Sequence, residues 1–228
     1  MALAVALGYR STELEETALD ELCLSRHTLE NFNIMHLYKT MGLLSPDPIV
    51  AMVKRLLRKK LGKHNYTFSE LTNVLGGFKL VFSVHNSTML RNELLSVETR
   101  PDMLVWKACA MSCMIPFIFE PILHEHCLYV DGGVRKSLPY EVFPLKQTMA
   151  VYLHKTPPKV LTEDHKPTLV HHISHVAEAM ETATRTKLEH IPAALTIWVG
   201  LPIRSTGSVL LSDLEHGSLV AYGEFMAL

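Results

Sequence analysis

The stretch Cys109–Phe143, CAMSCMIPFIFEPILHEHCLYVDGGVRKSLPYEVF, leads from small residues to a carboxylate that is followed by two glycines. A short strand is predicted at Leu128–Val130, and it ends at Asp131. Gly132 and Gly133 come next, and glycine lets the backbone turn sharply and approach a ligand or a loop closely. An Asp at the carboxyl end of a strand in an α/β sheet lies at the rim where such folds bind ligands. Asp131 is therefore a candidate functional carboxylate, although Asp-Gly is also common turn chemistry.

The residues around Asp131 form a longer pattern. It reads small-x-Ser-x-x-x-Pro-x-x-Phe over residues 110–119, then an apolar stretch, Tyr-Val-Asp-Gly-Gly at 129–133 and Leu-Pro at 138–139. This pattern resembles the carboxyl half of the patatin-like phospholipase domain, strongly over residues 108–139 and more weakly on either side. The resemblance implies a lipid acyl hydrolase with a Ser-Asp dyad, in which Asp131 accepts the proton of a serine that lies in a Gly-x-Ser-x-Gly elbow. It implies no cofactor.

The sequence departs from the family in a way that bears on activity. It contains no Gly-x-Ser-x-Gly and no Gly-rich oxyanion loop, and its first residues resemble the helix that follows the elbow serine. We therefore expect one patatin-like domain over residues 1–228, truncated at its amino end, without a nucleophile and inactive alone. Two alternatives stay open. The chain is a non-catalytic lipid-binding or scaffold protein of the same fold, or an unrelated α/β protein in which Asp131 only turns the chain.

Composition narrows the class of protein. The chain has 228 residues, of which 48% are hydrophobic and 20% charged, which fits one globular domain with a substantial core. A net charge of −1 argues against nucleic-acid binding through bulk charge. The four cysteines show no disulfide-framework spacing, which indicates a reducing, intracellular compartment. The apolar start, Met1–Leu7, is shorter than the roughly 20 residues of a membrane span and lacks a basic flank, so we expect a cytoplasmic or peripheral protein.

Hydrophobic periodicity and capping signals predict alternating helices and strands. Residues 31–41 are ambiguous. The predicted helices cover residues 1–7 (ended by Gly8), 13–24, 48–61 (capped by Asp47), a short segment after Thr67, 105–114, 168–190 and a terminal segment to 227. The predicted strands cover residues 78–84, 128–130, 148–153 and 195–199. The alternation indicates a mainly parallel sheet with helices on both faces, and the resemblance implies the same three-layer sandwich.

The helix at 48–61 carries a basic face. Its charged residues, with one just beyond it, are Lys54, Arg55, Arg58, Lys59, Lys60 and Lys63. One interpretation is an amphipathic helix that packs on the core and exposes its charges to water. The other is attachment to an anionic membrane surface, which attracts such a face.

Two histidine clusters suggest metal binding only superficially. Adjacent ligands in His124–Cys127 rarely complete a tetrahedral site, so a polar surface turn is the better interpretation. His171, His172 and His175 lie on one predicted helix, but the acidic residue of a His-Glu-x-x-His motif is missing. We therefore predict no metal site.

Ser112 is the one serine of the pattern that invites comparison with a nucleophile. Its neighbours are Met111 and Cys113, whereas a strained elbow needs glycines for close approach. A helical hydroxyl that bonds a backbone carbonyl is therefore the preferred interpretation.

Overall fold

The computed structural model describes residues 2–10, 12–13, 34–135, 139, 142–144, 149–155, 176 and 195–201. They belong to two compact units, Met1–Lys136 and Ser137–Leu228. The predicted helices at 13–24 and 168–190 lie almost wholly outside the described residues, and the terminal helix lies wholly outside them. The single-domain organisation stays a prediction.

The first unit contains five described helices and six strands, and the second contains two described strands. The helices are α1 (Ala2–Ala6), α2 (Ile34–Thr40), α3 (Asp47–Leu61), α4 (Phe68–Val74) and α5 (Val105–Met111). The strands are β1 (Gly42–Leu44), β2 (Val81–Asn86), β3 (Arg91–Ser96), β4 (Phe117–Phe119), β5 (Ile122–His124), β6 (Cys127–Asp131), β7 (Met149–Lys155) and β8 (Leu195–Leu201). The chain is thus an α/β protein.

The helix ends follow local sequence signals closely. Gly8 has a φ of 68°, and its N–H donates to the carbonyl of Val5, so it ends α1 as predicted. At the start of α4, the Thr67 hydroxyl accepts from the Glu70 N–H over 3.2 Å and the Glu70 carboxylate accepts from the Thr67 N–H over 3.0 Å. This is the predicted capping box.

One predicted cap is wrong. Asp47 was expected to cap α3, but it is the first residue of that helix and Pro46 occupies the capping position without a side-chain hydrogen bond. The acidic side chain in the first turn still complements the helix dipole.

A single hydrophobic core joins the helices to the sheet of the first unit. Its members include Leu3 and Ala4 of α1, Val53 and Leu57 of α3, Val105 and Met111 of α5, and Phe82, Val84 and Tyr129 of the sheet. The opposite side of α3 exposes Arg55, Arg58 and Lys59. The helix is therefore amphipathic and packs on the core as predicted, and attachment of its basic face to a membrane stays a prediction.

The sheet of the first unit differs from the expected parallel sheet. Its order is β3-β2-β6-β5, and every neighbouring pair is antiparallel. For β2–β3 and β5–β6 the reason is connection length, because short hairpins join them and a parallel pair needs a long crossover. The pair β2–β6 is antiparallel across a long connection. Parallel pairing occurs in the described residues between β1 and β4 and between β7 and β8.

Candidate functional site

The carboxylate singled out by the sequence ends β6. The Asp131 N–H donates to the carbonyl of Met114 over 2.8 Å, which ties the strand end to the segment after α5. The Asp131 side chain then accepts from the Gly133 N–H over 2.8 Å and caps a short turn of 3-10 helix, Gly132–Val134. The half-buried carboxylate is thus held by the backbone of its own turn.

Gly132 lies directly on β2. A Cβ at this position would come within 2.6 Å of both the carbonyl carbon and the carbonyl oxygen of Ser83, a separation that real Cβ atoms do not show. At Gly133 the nearest atom to a Cβ would be the Asp131 Oδ1, at 3.2 Å. The first glycine is therefore required by backbone packing, whereas a Cβ at the second would come close only to the side chain of Asp131.

The Asn92 side chain of β3 reaches across β2 and bonds the turn. Its side-chain N–H donates to the Gly132 carbonyl over 3.2 Å, and its carbonyl oxygen lies 2.8 Å from Nδ1 of His85. Because the Gly132 carbonyl oxygen can only accept, the NH₂ group of Asn92 must face it, and the amide oxygen must face His85. Nδ1 of His85 is then the donor in that hydrogen bond. A chain of side chains therefore runs from β2 through β3 to the aspartate turn.

Asp131 and Gly132 contact groups on opposite faces of the sheet. Asp131 pairs with Val84 across β2 and β6, and directly opposed residues share a face, so Asp131 is on the side of the core. Ser83 and His85 alternate with Val84 and lie on the other face, where Gly132 and Asn92 meet them. The Asn92 side chain, whose hydrogen bond clamps the turn, and the Asp131 carboxylate thus lie on opposite faces of the sheet.

The charge of Asp131 acts on the thiol of Cys113. A hydrogen bond from Cys109 lowers the pKa of Cys113, against the effects of burial and of the Asp131 carboxylate, which both raise it. The same hydrogen bond, with burial, raises the pKa of Cys109 well above its ordinary range. Cys109 lies in α5 and Cys113 follows its end, and both side chains are half-buried.

Ser112 links α5 to the sheet. It ends α5, and its hydroxyl donates to the carbonyl of Ser83 over 2.8 Å. The prediction that this hydroxyl bonds a backbone carbonyl is confirmed, and the carbonyl belongs to β2. The bond places Ser112 on the backbone that supports Gly132.

The histidine-rich segment is a surface turn. Glu125 and His126 join β5 to β6, and both have positive φ, 49° and 61°, as in a type I′ hairpin turn. Among the residues that the structure describes, no group of histidine, cysteine and carboxylate side chains is arranged to hold a metal ion. His171, His172 and His175 lie outside those residues.

Sequence reasoning missed three residues of this site: Ser83, His85 and Asn92. They belong to β2 and β3, and Asn92, the last of them, lies 40 positions before Gly132. The local sequence signal for Ser83 and His85 is their alternation with the apolar residues of β2, which places both on the less buried face of the strand. Nothing in the sequence near Asn92 indicates its partner.

No helix in the described part of the chain is both long and apolar enough to cross a bilayer.

Comparison with known proteins identifies the family. Residues 1–144 match the patatin-like phospholipase family. The chain is 29% identical over 147 residues to the uncharacterized protein R571 of Acanthamoeba polyphaga mimivirus, covering 63% of this chain and 46% of the relative. It is 31% identical over 101 residues to the probable lipid hydrolase 463L of Invertebrate iridescent virus 6, covering 44% of this chain and 34% of the relative.

A bacterial protein shows a similar match. The uncharacterized protein YqhO of Bacillus subtilis (strain 168) is 32% identical over 158 residues, covering 63% of this chain and 53% of the relative. The chain spans about half or less of the length of each of these relatives. Because the family match covers more than half of its residues and includes the Asp131 turn, the chain belongs to the patatin-like phospholipase family.

Proposed function

We propose that this chain carries the general-base half of a lipid acyl hydrolase, with Asp131 as the proton acceptor. The family is one of lipid hydrolases, and one viral relative is described as a probable lipid hydrolase. The observation that carries the proposal is the Asp131 carboxylate, held at the end of β6 by the Gly133 N–H, with Gly132 seated on β2. The proposal includes the three-layer α/β arrangement of the family, in one domain over residues 1–228.

The proposed chemistry is ester hydrolysis through an acyl-enzyme. Asp131 takes the proton from a serine hydroxyl as the serine oxygen attacks the ester carbonyl, and the alcohol then leaves with a proton. Water, activated by the same carboxylate, attacks the acyl-enzyme and releases the fatty acid. A carboxylate held by a backbone N–H meets the serine in a fixed geometry, which is the part of the reaction that this chain supplies.

The 228 residues do not supply the nucleophile. They contain no Gly-x-Ser-x-Gly, and in serine hydrolases the loss of the nucleophile costs on the order of 10⁶ in kcat. Loss of an oxyanion donor costs a further ~10²–10³. We therefore expect the purified chain to release no fatty acid from phospholipid or p-nitrophenyl esters, and to resist labelling by a fluorophosphonate. Turnover that disappears in Asp131→Asn, or a label on Ser112, would contradict this expectation.

The role of Asp131 is tested by supplying the nucleophile. A segment with the Gly-rich loop and the Gly-x-Ser-x-Gly elbow of the family is joined in frame ahead of residue 2. We expect hydrolysis to appear and to be lost equally when the elbow serine is changed to Ala or when Asp131 is changed to Asn. Ser112→Ala is the matched control and should keep the activity. Full activity of Asp131→Asn in a folded fusion would exclude Asp131 as the base.

A second candidate function is lipid binding without catalysis. The exposed Arg55, Arg58 and Lys59 of α3 favour it, because a cationic face attracts anionic lipid. Lys60 of the same helix pairs with Glu13 at 3.0 Å, and the Arg58 guanidinium lies 3.0 Å from Nδ1 of His64. Flotation with anionic vesicles distinguishes the candidates. The binding function is supported if the nucleophile-bearing fusion hydrolyses nothing but binds these vesicles, and if that binding depends on the α3 charges.

A further inference from the structure

The hairpin between β2 and β3 presents two apolar side chains to solvent. Met89 is 58% exposed and Leu90 is 71% exposed, at the tip of the connection 87–90. Leu90 also has a φ of 53°, in the left-handed region that a branched apolar residue adopts only at a cost. Gly or Asn would fit this position better, and the strained Leu90 side chain is largely exposed to solvent.

The tip is nevertheless held rigidly by side chains. The side-chain oxygen Oδ1 of Asn86 accepts from the Met89 N–H over 2.9 Å, and the Thr88 hydroxyl accepts from the Leu128 N–H over 3.0 Å. The Arg135 guanidinium donates to the Leu90 carbonyl over 2.9 Å. The two side chains are therefore exposed by a fixed backbone, which keeps the ordering cost of binding low.

Cations flank the apolar tip. The side chain of Arg91, the next residue, is 65% exposed although its Nε pairs with Glu93 at 3.0 Å, and that of Arg135 lies on the surface beside Leu90. Leu123, 64% exposed, is opposite Leu128, whose carbonyl accepts from the Ser87 N–H. Apolar side chains rimmed by guanidinium groups match the acyl boundary and the phosphates of an anionic bilayer surface.

We propose that Met89 and Leu90 insert into the lipid–water interface, while Arg91 and Arg135 contact lipid phosphates. The choice of a lipid surface over a protein partner rests on the proposed function. Arg135 follows Asp131 by one turn, so the inserted tip is bonded to the same segment that carries the proposed base. The hairpin, and not the basic face of α3, is then the primary lipid contact.

Flotation of the full 228-residue chain tests the contact. Vesicles of phosphatidylcholine with phosphatidylglycerol are compared with phosphatidylcholine alone. We expect Met89→Ser/Leu90→Ser to weaken binding to the anionic vesicles at least about tenfold, since two apolar side chains leave the interface. Val74→Ser/Phe78→Ser removes two apolar groups of similar exposure, 53% and 48%, and should bind like the unaltered chain. Equal binding by the two double variants would overturn the proposal.

Insertion has a direct spectroscopic signature. Tryptophan fluorescence of Met89→Trp should be quenched by dibrominated phosphatidylcholine in the vesicles, beyond the quenching of the native tryptophans, whereas Val74→Trp should add no quenching. Absence of extra quenching for Met89→Trp in vesicle-bound protein would overturn the proposal.

Leu90→Gly separates an interfacial role from a packing role. Relief of the left-handed strain should raise the thermal midpoint, while loss of the side chain should weaken vesicle binding. A lower midpoint with unchanged binding would overturn the proposal. So would a folded chain that binds neither vesicle, which would indicate a protein partner. Flotation needs no turnover, so failure of the hydrolase proposal appears only in the fatty-acid assay of the nucleophile-bearing fusion.

Discussion

The side-chain amide of Asn92 donates to the carbonyl of Gly132 over 3.2 Å, across 40 positions of sequence. Because β2 lies between β3 and β6, the amide reaches over a whole strand to make this bond. The Asp131 turn is therefore positioned by the β2–β3 hairpin as well as by its own backbone.

Asn92→Asp tests this clamp with an isosteric change. The new carboxylate still accepts from His85, but it has no N–H for the Gly132 carbonyl and repels that oxygen. We expect the Gly133 amide to exchange with solvent about fivefold faster, since a lost hydrogen bond is worth about 1 kcal/mol. Asn65→Asp adds the same charge at an exposed loop position and is the control. Unchanged Gly133 exchange in Asn92→Asp would show that the clamp does not hold the turn.

Gly132→Ala tests the seating of the turn on β2. The added Cβ would overlap the backbone of Ser83, and backbone atoms cannot rotate away. We expect a loss of roughly 1–3 kcal/mol in the free energy of unfolding, measured by urea denaturation. Gly133→Ala should cost less, because its nearest neighbour is a side-chain oxygen at 3.2 Å. Ser83→Ala should not rescue Gly132→Ala, since the carbonyl group remains. Equal costs at both glycines would contradict this account.

Ser112→Ala and Ser83→Ala should have different effects on stability. Ser112→Ala removes the bond to the Ser83 carbonyl, for an expected loss of about 1 kcal/mol. The Ser83 hydroxyl is buried and has no hydrogen-bond partner among the described residues, so Ser83→Ala should be neutral or stabilising. Urea denaturation of both variants measures the difference. A larger loss for Ser83→Ala would show that its hydroxyl has a partner that matters.

Acid should weaken the fold through Glu98. Hydrogen bonds from Lys79, at 2.8 Å, and from Ser96 lower the pKa of Glu98 from 4.5 to about 2. A carboxyl group with a lower pKa in the folded chain stabilises it above the unfolded pKa. That contribution is lost as the pH falls from about 4.5 through about 2.

Glu98→Gln measures this contribution. The variant should show a flatter dependence of the unfolding free energy on pH between these values, and Lys79→Met should flatten it in part. The same slope in the unaltered chain and in Glu98→Gln would assign the acid sensitivity to other carboxylates. Because Glu98 is on the surface, high salt should also reduce the effect.

Local signals accounted for the ends of several elements. The Thr67–Glu70 capping box, the left-handed Gly8 and the stripe of apolar residues along α3 act between residues at most a few turns apart, so the sequence displays them directly. The strand end at Asp131 and its turn were predicted for the same reason, because an Asp side chain bonds the N–H two residues ahead.

Local signals did not predict whether neighbouring strands run parallel or antiparallel. The predicted strand at 78–84 became β2 at Val81–Asn86, since pairing with β3 and β6 decides where a strand begins and ends. The hairpin to β3 was not predicted, because its turn, 87–90, contains none of the glycine or proline signals that mark short hairpins. An antiparallel sheet followed from that connection.

By itself, the sequence determined the α/β class, the amphipathic α3 and Asp131 with its two glycines as the candidate site, because each depends on residues adjacent along the chain or on one helix face. Only the tertiary structure decided what holds that site. Ser83, His85 and Asn92 meet Gly132 because strand pairing brings distant segments within hydrogen-bond distance, and a local pattern contains no information on which distant backbone group a side chain will reach.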